Sequence, residues 1–195
     1  IMAGINKIIE NSCPPDKKEQ WMIDVAKGNI AFGSAFNKWA VSVKSMQRFN
    51  ISFKEIFDLC SQGNHASLVE KSPLDEVLLE MIITHLPNPK TAQVYRISVL
   101  WKGDITTPEG QGMLRCDSNA KTIGICFGVV YDEHAGEVGI VRLFSGKAQK
   151  GDQLYIHSKK TYGKVQQVGI YMGPDRIGAE RIIAGNIGAS GGKIK

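Results

Sequence analysis

The spacing of apolar and polar residues differs between the two halves of the chain, and the first half mixes helical and strand patterns. Residues 3–11 predict a helix that ends before Pro14 and Pro15, because proline removes a donor and fixes the backbone angle. Residues 21–25 and 30–32 are short apolar runs on either side of a glycine-bearing turn at 26–29. This pattern predicts two strands.

Two further helices are indicated by their first turns. Ser52 is followed three residues later by Glu55, a capping pattern that opens a helix toward Cys60. Ser72 precedes Pro73, which predicts a capping hydroxyl before a first-turn proline. The second helix has one apolar face that we expect to pack on a core. That face comprises Leu74, Val77, Leu78, Met81, Ile82 and His85.

Prolines at 87 and 89 mark a change of pattern, since the residue before each proline is biased toward extended geometry. Residues 123–130 alternate bulky and smaller side chains, and further strands are predicted at 137–144, 153–157, 164–172 and around 187. Turns are predicted at 135–136, 145–146, 150–152 and 162–163. Short strands at such spacing indicate a closed barrel. The sequence therefore predicts α/β structure over 1–86, a stiff linker over 87–95 and an all-β antiparallel barrel over 96–195.

Composition narrows the class of protein. The chain has 24 basic and 19 acidic residues, a net charge of +5 that favours polyanionic partners such as RNA. Its four cysteines lack any C-x-x-C spacing, and its four histidines are scattered, so we expect no metal site and reduced thiols in a cytoplasmic protein. His134 is interpreted as a polar turn residue. No apolar run reaches the roughly 18 residues of a membrane span, so we expect no membrane insertion.

One segment suggests nucleotide chemistry. In residues 30–38 a short apolar run stops at Gly33-Ser34-Ala35, a turn whose main-chain amides are free to face outward. A main-chain N–H can donate to the O6 acceptor of guanine, whereas adenine presents an amino donor at that position. The tripeptide alone also fits an ordinary strand-to-loop turn, so its meaning depends on context.

Several segments in a fixed order supply that context. They are residues 29–40, 72–77, 85–89, 95–96, 101–104, 134–138, 143–146, 165–174 and 184–187. Through them the chain resembles the elongation factor 2 family of translational GTPases, most closely the archaeal type. The run Gln166-Gln167-Val168-Gly169-Ile170-Tyr171-Met172-Gly173-Pro174 is the segment most specific to this branch.

The resemblance implies a guanine-contacting loop made of Gly33, Ser34, Ala35 and Phe36, with the Ala35 amide as donor. It implies the end portion of a P-loop GTPase domain followed by a β-barrel second domain. The sequence contains no Gly-x-x-x-x-Gly-Lys-Ser/Thr phosphate loop, no Asn-Lys-x-Asp motif and no Asp-x-x-Gly switch with its following histidine. We therefore expect an internal fragment with no catalytic residue, which neither binds nor hydrolyses GTP by itself. GTP and magnesium would be cofactors of the intact protein only.

The resemblance also implies that the barrel faces ribosomal RNA, with basic side chains neutralising phosphates. The candidates are Lys147, Lys150, Lys159, Lys160, Lys164, Arg176 and, in the same stretch, Arg181. The implied activity is GTP-dependent translocation of tRNA and mRNA by a monomeric factor on the ribosome. Two alternatives remain open: another GTPase, such as a release or rescue factor or the related spliceosomal GTPase, and a non-enzymatic RNA-binding β-barrel protein. For each basic residue, a solvated loop face is an equal alternative.

Overall fold

The computed structural model describes residues 1–132 and 136–194. The chain divides into two compact units, Ile1–Leu86 and Pro87–Lys195. His134 and Ala135, which belong to one of the family-like segments and to a predicted turn, lie outside the described residues. Each unit is described by itself.

Helices make up most of the first unit, with one β-hairpin among them. The helices are α1 (Met2–Ser12), a 3-10 turn (Pro15–Lys17), α2 (Lys18–Trp21), α3 (Val43–Phe49), α4 (Phe53–Ser61), α5 (His65–Lys71) and α6 (Leu74–His85), and the hairpin strands are β1 (Ala31–Ser34) and β2 (Trp39–Ser42). The predicted helices at 3–11 and after Ser52 are confirmed, and the Ser52 side chain accepts from the Glu55 amide at 3.2 Å.

The core of the first unit forms where α4 and α5 pack near β2. Trp39, Val41, Ile51, Ile56 and Leu68 are buried together. All four residues of β2 are buried, so this strand is held from both faces. Because the hairpin includes this strand, one side of the hairpin is fixed by the core.

The predicted strand over residues 21–25 is wrong. α2 ends at Trp21, and the main chain of Ile23 is bound by a side chain instead of a neighbouring strand. The Asn6 amide nitrogen donates to the Ile23 carbonyl at 3.0 Å, and the Ile23 amide donates to the Asn6 carbonyl oxygen at 2.8 Å. With both groups satisfied in this way, the segment has no need of a β-ladder.

The start of α6 also differs from the prediction. The helix begins at Leu74 with Pro73 as its N-cap and no side-chain cap. The buried Ser72 hydroxyl donates to the Ala40 carbonyl at 2.6 Å, so it ties the helix start to β2. Of the predicted apolar face, Val77 is buried, whereas Leu78 and Ile82 remain about half exposed.

The second unit opens with two helices and continues as strands. Its elements are α7 (Pro89–Leu100), α8 (Pro108–Leu114), β3 (Ile123–Asp132), β4 (Gly136–Ser145), β5 (Lys147–Gln149), β6 (Gln153–Ile156), β7 (Thr161–Met172), β8 (Asp175–Gly178), β9 (Arg181–Ile183) and β10 (Ile187–Ile194). The strands predicted near 123–130, 137–144, 153–157, 164–172 and 187 are all present.

Residues 89–95, predicted as part of an extended linker, are helical. Asn88 caps α7 by accepting from the Thr91 amide at 3.0 Å, and Pro89 occupies the first turn, where its missing donor costs nothing. The buried side chain of Gln93 then donates to main-chain carbonyls of Met113 in α8 and Phe144 in β4. The expectation that everything after the prolines is β structure is therefore wrong for α7 and α8.

The predicted turn at Tyr162-Gly163 is wrong as well. Both residues lie in β7, where Tyr162 is opposite Tyr155 and Gly163 is opposite Leu154 of β6. The chain reverses four residues earlier, and Lys160 in that reversal has a left-handed φ of 52°. The glycine misled the prediction because it interrupts a strand without turning it.

Six of the eight strands described in the second unit form one antiparallel sheet that curls into a half-barrel, in agreement with the predicted antiparallel β-barrel class. Its order is β3-β4-β10-β7-β6, with β8 paired to β7, while β5 and β9 form a separate two-stranded sheet. Asp132 at the end of β3 and Arg176 in β8 lie 3.4 Å apart although several strands separate them. A flat sheet would hold them well over 10 Å apart at about 4.8 Å per strand, so this ion pair marks the curl.

Candidate functional site

The predicted nucleotide loop lies at the tip of the β1–β2 hairpin. The strands pair antiparallel from Ala31 opposite Ser42 to Ser34 opposite Trp39. Gly33 and Ser34 therefore belong to β1, and the turn itself spans residues 35–38. Within the described residues, β1 and β2 form a sheet of two strands only, so the loop is carried by an isolated hairpin.

Gly33 is required by the close approach of the two strands. A Cβ atom at this position would lie 2.4 Å from the Trp39 carbonyl oxygen and 2.7 Å from the Ala40 Cα. Real side chains do not tolerate contacts this short against backbone. The glycine thus lets β1 lie directly on the buried strand β2.

Side-chain hydrogen bonds set the shape of the turn. The Ser34 hydroxyl oxygen accepts from the Asn37 main-chain amide at 3.1 Å and from its side-chain amide at 3.0 Å. The Lys38 amide donates to the Ala35 carbonyl at 3.2 Å, and Lys38 has a left-handed φ of 59°. Sequence reasoning missed Asn37, although a serine followed by an asparagine at the third position is a turn-forming pattern.

The apex of the turn is open to solvent. Ala35 is exposed, and Phe36 is 92% exposed. Within the described residues, the Ala35 and Phe36 amides donate to no protein acceptor. The turn therefore presents main-chain donors at a fixed place, which is the chemistry that a guanine O6 acceptor requires.

Hydrogen bonds to the start of α6 and a contact with His65 hold the β2 side of the hairpin in place. The Ala40 amide donates to the Ser72 carbonyl at 3.3 Å, and the Leu74 amide donates to the Lys38 carbonyl at 3.1 Å. The Trp39 indole N–H donates to His65 Nδ1 at 3.3 Å, with the two rings stacked at 6.4 Å between centroids. These contacts hold β2 and the residue before it, so the exposed turn is carried on a rigid base.

Six of the seven predicted RNA-facing residues lie around the β6–β7 hairpin or on the β5–β9 sheet, and the seventh, Arg176, lies in β8. Lys159 and Lys160 occupy the reversal between β6 and β7, and Lys164 follows in β7. Lys150 is next to Gly151, whose amide donates to the Val165 carbonyl at 2.8 Å and so brings that turn beside Lys164. Lys147 and Arg181 lie apart from these, on the small β5–β9 sheet.

The five lysines are exposed and form no ion pair with the carboxylates that the structure describes. Arg176 is different, since it is half-buried, pairs with Asp132 and donates to the Gln167 side chain at 3.0 Å. The lysines are therefore available to a polyanion, whereas Arg176 already has protein partners.

We next consider metal-binding groups, shifted pKa values and membrane-spanning helices among the described residues. Among residues 1–132 and 136–194, no group of three or more histidine, cysteine, aspartate or glutamate side chains is arranged to hold a metal ion. The pKa of Glu55 is lowered by its hydrogen bond to Lys71, and burial raises the pKa of the Cys116 thiol. Neither group lies in the hairpin turn. No helix in the described ranges is long and apolar enough to cross a membrane.

Comparison with known proteins places these features in one family. The family described as elongation factor G domain 2 matches residues 121–192, from just before β3 into β10. The elongation factor 2 of Methanococcus maripaludis is 49% identical over 187 residues, which are 96% of this chain and 26% of that protein. Those of Pyrococcus abyssi and Methanocaldococcus jannaschii are 46% and 44% identical over the same shares.

The chain belongs to the elongation factor 2 family. It spans about a quarter of the length of these curated relatives, 26% in each case. The identity covers 96% of the chain, so it includes the hairpin turn of the first unit as well as the half-barrel of the second. The family resemblance derived from the sequence is confirmed.

Proposed function

We propose that this chain is part of a translation elongation factor that hydrolyses GTP to promote movement of tRNA and mRNA on the ribosome. The observation that carries the proposal is the 44–49% identity to proteins named elongation factor 2 over 96% of the chain. In this proposal the first unit contributes a guanine contact, and the second unit contributes a basic surface toward ribosomal RNA.

The guanine contact is assigned to the turn formed by Gly33, Ser34, Ala35 and Phe36. The Ala35 amide is exposed and donates to no described acceptor, so it is free to bind the O6 atom of guanine. The same amide would repel the amino group of adenine. GTP phosphates and Mg²⁺ are assigned to residues outside this chain, and no catalytic group is assigned within it.

The first experiment measures GTP hydrolysis by the full-length protein with and without ribosomes. We expect ribosomes to increase the hydrolysis rate strongly. Translocation is then followed by movement of fluorescent mRNA through the ribosome. A protein that releases peptides but does not move mRNA would support the release-factor alternative, and absence of any GTP hydrolysis would support a non-enzymatic RNA-binding protein.

The second experiment tests the amide of residue 35. Ala35→Pro removes the N–H, and Ser34 before it is already in a strand, the conformation that a following proline requires. We expect Ala35→Pro in the full-length protein to weaken GTP binding about threefold to tenfold, the value of one neutral hydrogen bond. Ala35→Ser keeps the N–H and serves as the matched control.

A nucleotide analogue isolates the O6 atom. The triphosphate of 2-aminopurine riboside lacks O6, so its affinity should be the same for the Ala35→Pro and Ala35→Ser variants. Equal loss of GTP and analogue binding would contradict the assigned contact. For the 195-residue chain alone we expect no micromolar affinity for GTP by calorimetry, because one amide does not replace a phosphate-binding loop.

A further inference from the structure

Two tyrosines stand side by side on the outer face of the β6–β7 hairpin. Tyr155 and Tyr162 are directly opposite one another in the ladder, with ring centroids 5.1 Å apart. The two residues are 52% and 57% exposed. His157 extends the group, with its ring 6.4 Å from Tyr155 in an edge-on arrangement.

Packing in the hydrophobic core does not explain the position of these two tyrosines. Successive side chains of a strand point to opposite faces, and Leu154, next to Tyr155, packs on the buried cluster that contains Leu143 and Val165. Tyr155 and Tyr162 therefore point away from that cluster. Their hydroxyl groups have no hydrogen-bond partner among the described residues. A cross-strand aromatic pair adds some stability to a hairpin, but it leaves about half of each ring in water.

Unpaired positive charge surrounds the tyrosines. Lys164 is two residues after Tyr162 and so lies on the same face of β7, while Lys159 and Lys160 form the reversal at the other end of the hairpin. None of the three forms an ion pair with a carboxylate that the structure describes. The second unit as a whole carries 15 basic against 9 acidic residues, whereas the first carries 9 against 10.

We propose that this surface, formed by Tyr155, Tyr162, Lys159, Lys160 and Lys164, binds unpaired nucleotides of ribosomal RNA. Exposed aromatic rings flanked by lysines combine the two interactions that bind single-stranded RNA: bases stack on the rings, and the ammonium groups neutralise the neighbouring phosphates. The ribosomal source of the RNA rests on the proposed function. The tyrosines add a preference for unpaired RNA that basic residues alone would not give.

The test measures binding of the 195-residue chain to two fluorescein-labelled RNAs by fluorescence anisotropy. One is a ten-nucleotide oligouridine, and the other is a ten-base-pair RNA duplex. We expect Tyr162→Leu to weaken binding of oligouridine about fivefold to tenfold and to leave duplex binding unchanged, since stacked bases are inaccessible in a duplex. Tyr162→Phe keeps the ring and should bind like the unsubstituted chain.

Substitution of the lysines should affect RNA binding differently from substitution of Tyr162. Replacing Lys159 and Lys160 with glutamine should weaken binding of both RNAs. It should also reduce the slope of log K against log salt concentration by about 1.4 for oligouridine and about 1.8 for the duplex, because two phosphate contacts are lost. The matched controls are Tyr131→Leu, an exposed tyrosine on β3, and Lys121→Gln, whose ammonium already pairs with Glu109 at 3.3 Å. Both controls should bind like the unsubstituted chain. Thermal unfolding of each variant checks that the hairpin is intact.

Three outcomes would overturn the inference. These are equal binding of Tyr162→Leu and Tyr162→Phe to oligouridine, equal loss of oligouridine and duplex binding in Tyr162→Leu, and tyrosine-dependent displacement of oligouridine by a polyglutamate peptide, which would assign an acidic protein partner. The proposed function is judged separately, from ribosome-stimulated GTP hydrolysis by the unsubstituted full-length protein. It fails if that stimulation is absent, whatever the RNA affinities of the variants are.

Discussion

Gly33 offers the sharpest test of how the hairpin is built. Gly33→Ala adds a single Cβ atom that would lie 2.4 Å from the Trp39 carbonyl oxygen and 2.7 Å from the Ala40 Cα. Ordinary carbon–oxygen contacts are about 3.3–3.6 Å, so the strands must separate by roughly 1 Å at this point. Both obstructing atoms are backbone, and β2 is buried over its whole length, so it has little freedom to move away.

Such an overpacked site costs about 1–3 kcal/mol. Separation of the strands would also lengthen ladder hydrogen bonds between β1 and β2, which places the expected destabilisation near the upper end of that range. A loss of about 2 kcal/mol corresponds to roughly a thirtyfold increase in the unfolded fraction of the first unit. The turn that carries Ala35 would be loosened together with β1.

Urea unfolding followed by tryptophan emission measures the change, since Trp39 is buried in the first unit. Hydrogen exchange of residues 31–42, read by mass spectrometry, localises it to the hairpin. Gly4→Ala is the matched control, because its Cβ would meet nothing within 4 Å and alanine stabilises a helix by up to about 1 kcal/mol. An unchanged or higher urea midpoint for Gly33→Ala, or unaltered exchange in the hairpin, would refute the reasoning.

Three further predictions concern single contacts. Gln93→Glu replaces a buried donor to two main-chain carbonyls by an acceptor. We therefore expect the free energy of unfolding, measured with urea, to fall by about 2 kcal/mol or more at pH 7. The decrease should be smaller at pH 5, where a protonated carboxyl group can donate. Lys71→Gln removes the main cause that lowers the pKa of Glu55, so an NMR titration should show that pKa higher than in the unsubstituted chain; the stabilisation from this pair is present at neutral pH and is lost as the pH falls through the lowered pKa. Cys126 is exposed, whereas burial raises the pKa of Cys116, so iodoacetamide at pH 8 should modify Cys126 first in a mass-spectrometric time course.

Much of the fold could be predicted where local signals agree with packing. Ser52 followed by Glu55 marks a helix start that the structure uses, and the strand pattern around residues 137–144 matches β4. One error arises where a side chain that is distant in the sequence forms hydrogen bonds to the main chain. Asn6 binds the main chain of Ile23 from 17 residues away, which no local pattern reveals.

The prolines at 87 and 89 misled the prediction for a related reason. The residue before a proline avoids helical geometry, yet the proline itself is well suited to the first turn of a helix. Asn88 adopts an extended conformation and caps α7, so both rules hold at adjacent residues. Leu86, which precedes Pro87, is extended as well. The sequence signal for an extended connector was therefore correct for the two residues that precede a proline and wrong for the helix that begins at Pro89.

The candidate nucleotide turn was located by its motif, but its neighbours were not. Nothing in the residues 30–38 indicates that Ser72, more than 30 positions later, would bind the carbonyl of Ala40 and hold β2 in place. The aromatic pair at Tyr155 and Tyr162 was missed because Gly163 suggested a turn there. Only the register of β6 and β7 brings these rings together.

The proposed guanine contact and the proposed RNA contact share one structural arrangement: buried residues fix the position of exposed binding groups. In the first unit β2 is fully buried, and it supports an exposed turn whose amides have no acceptor within the described part of the chain. In the second unit Leu154 and Val165 anchor a hairpin whose outer face carries two half-exposed rings. In both, inward residues fix the position while the outward groups have few partners of their own. Substitution of an outward group should therefore change binding with little change in stability, whereas substitution of an inward residue should change both.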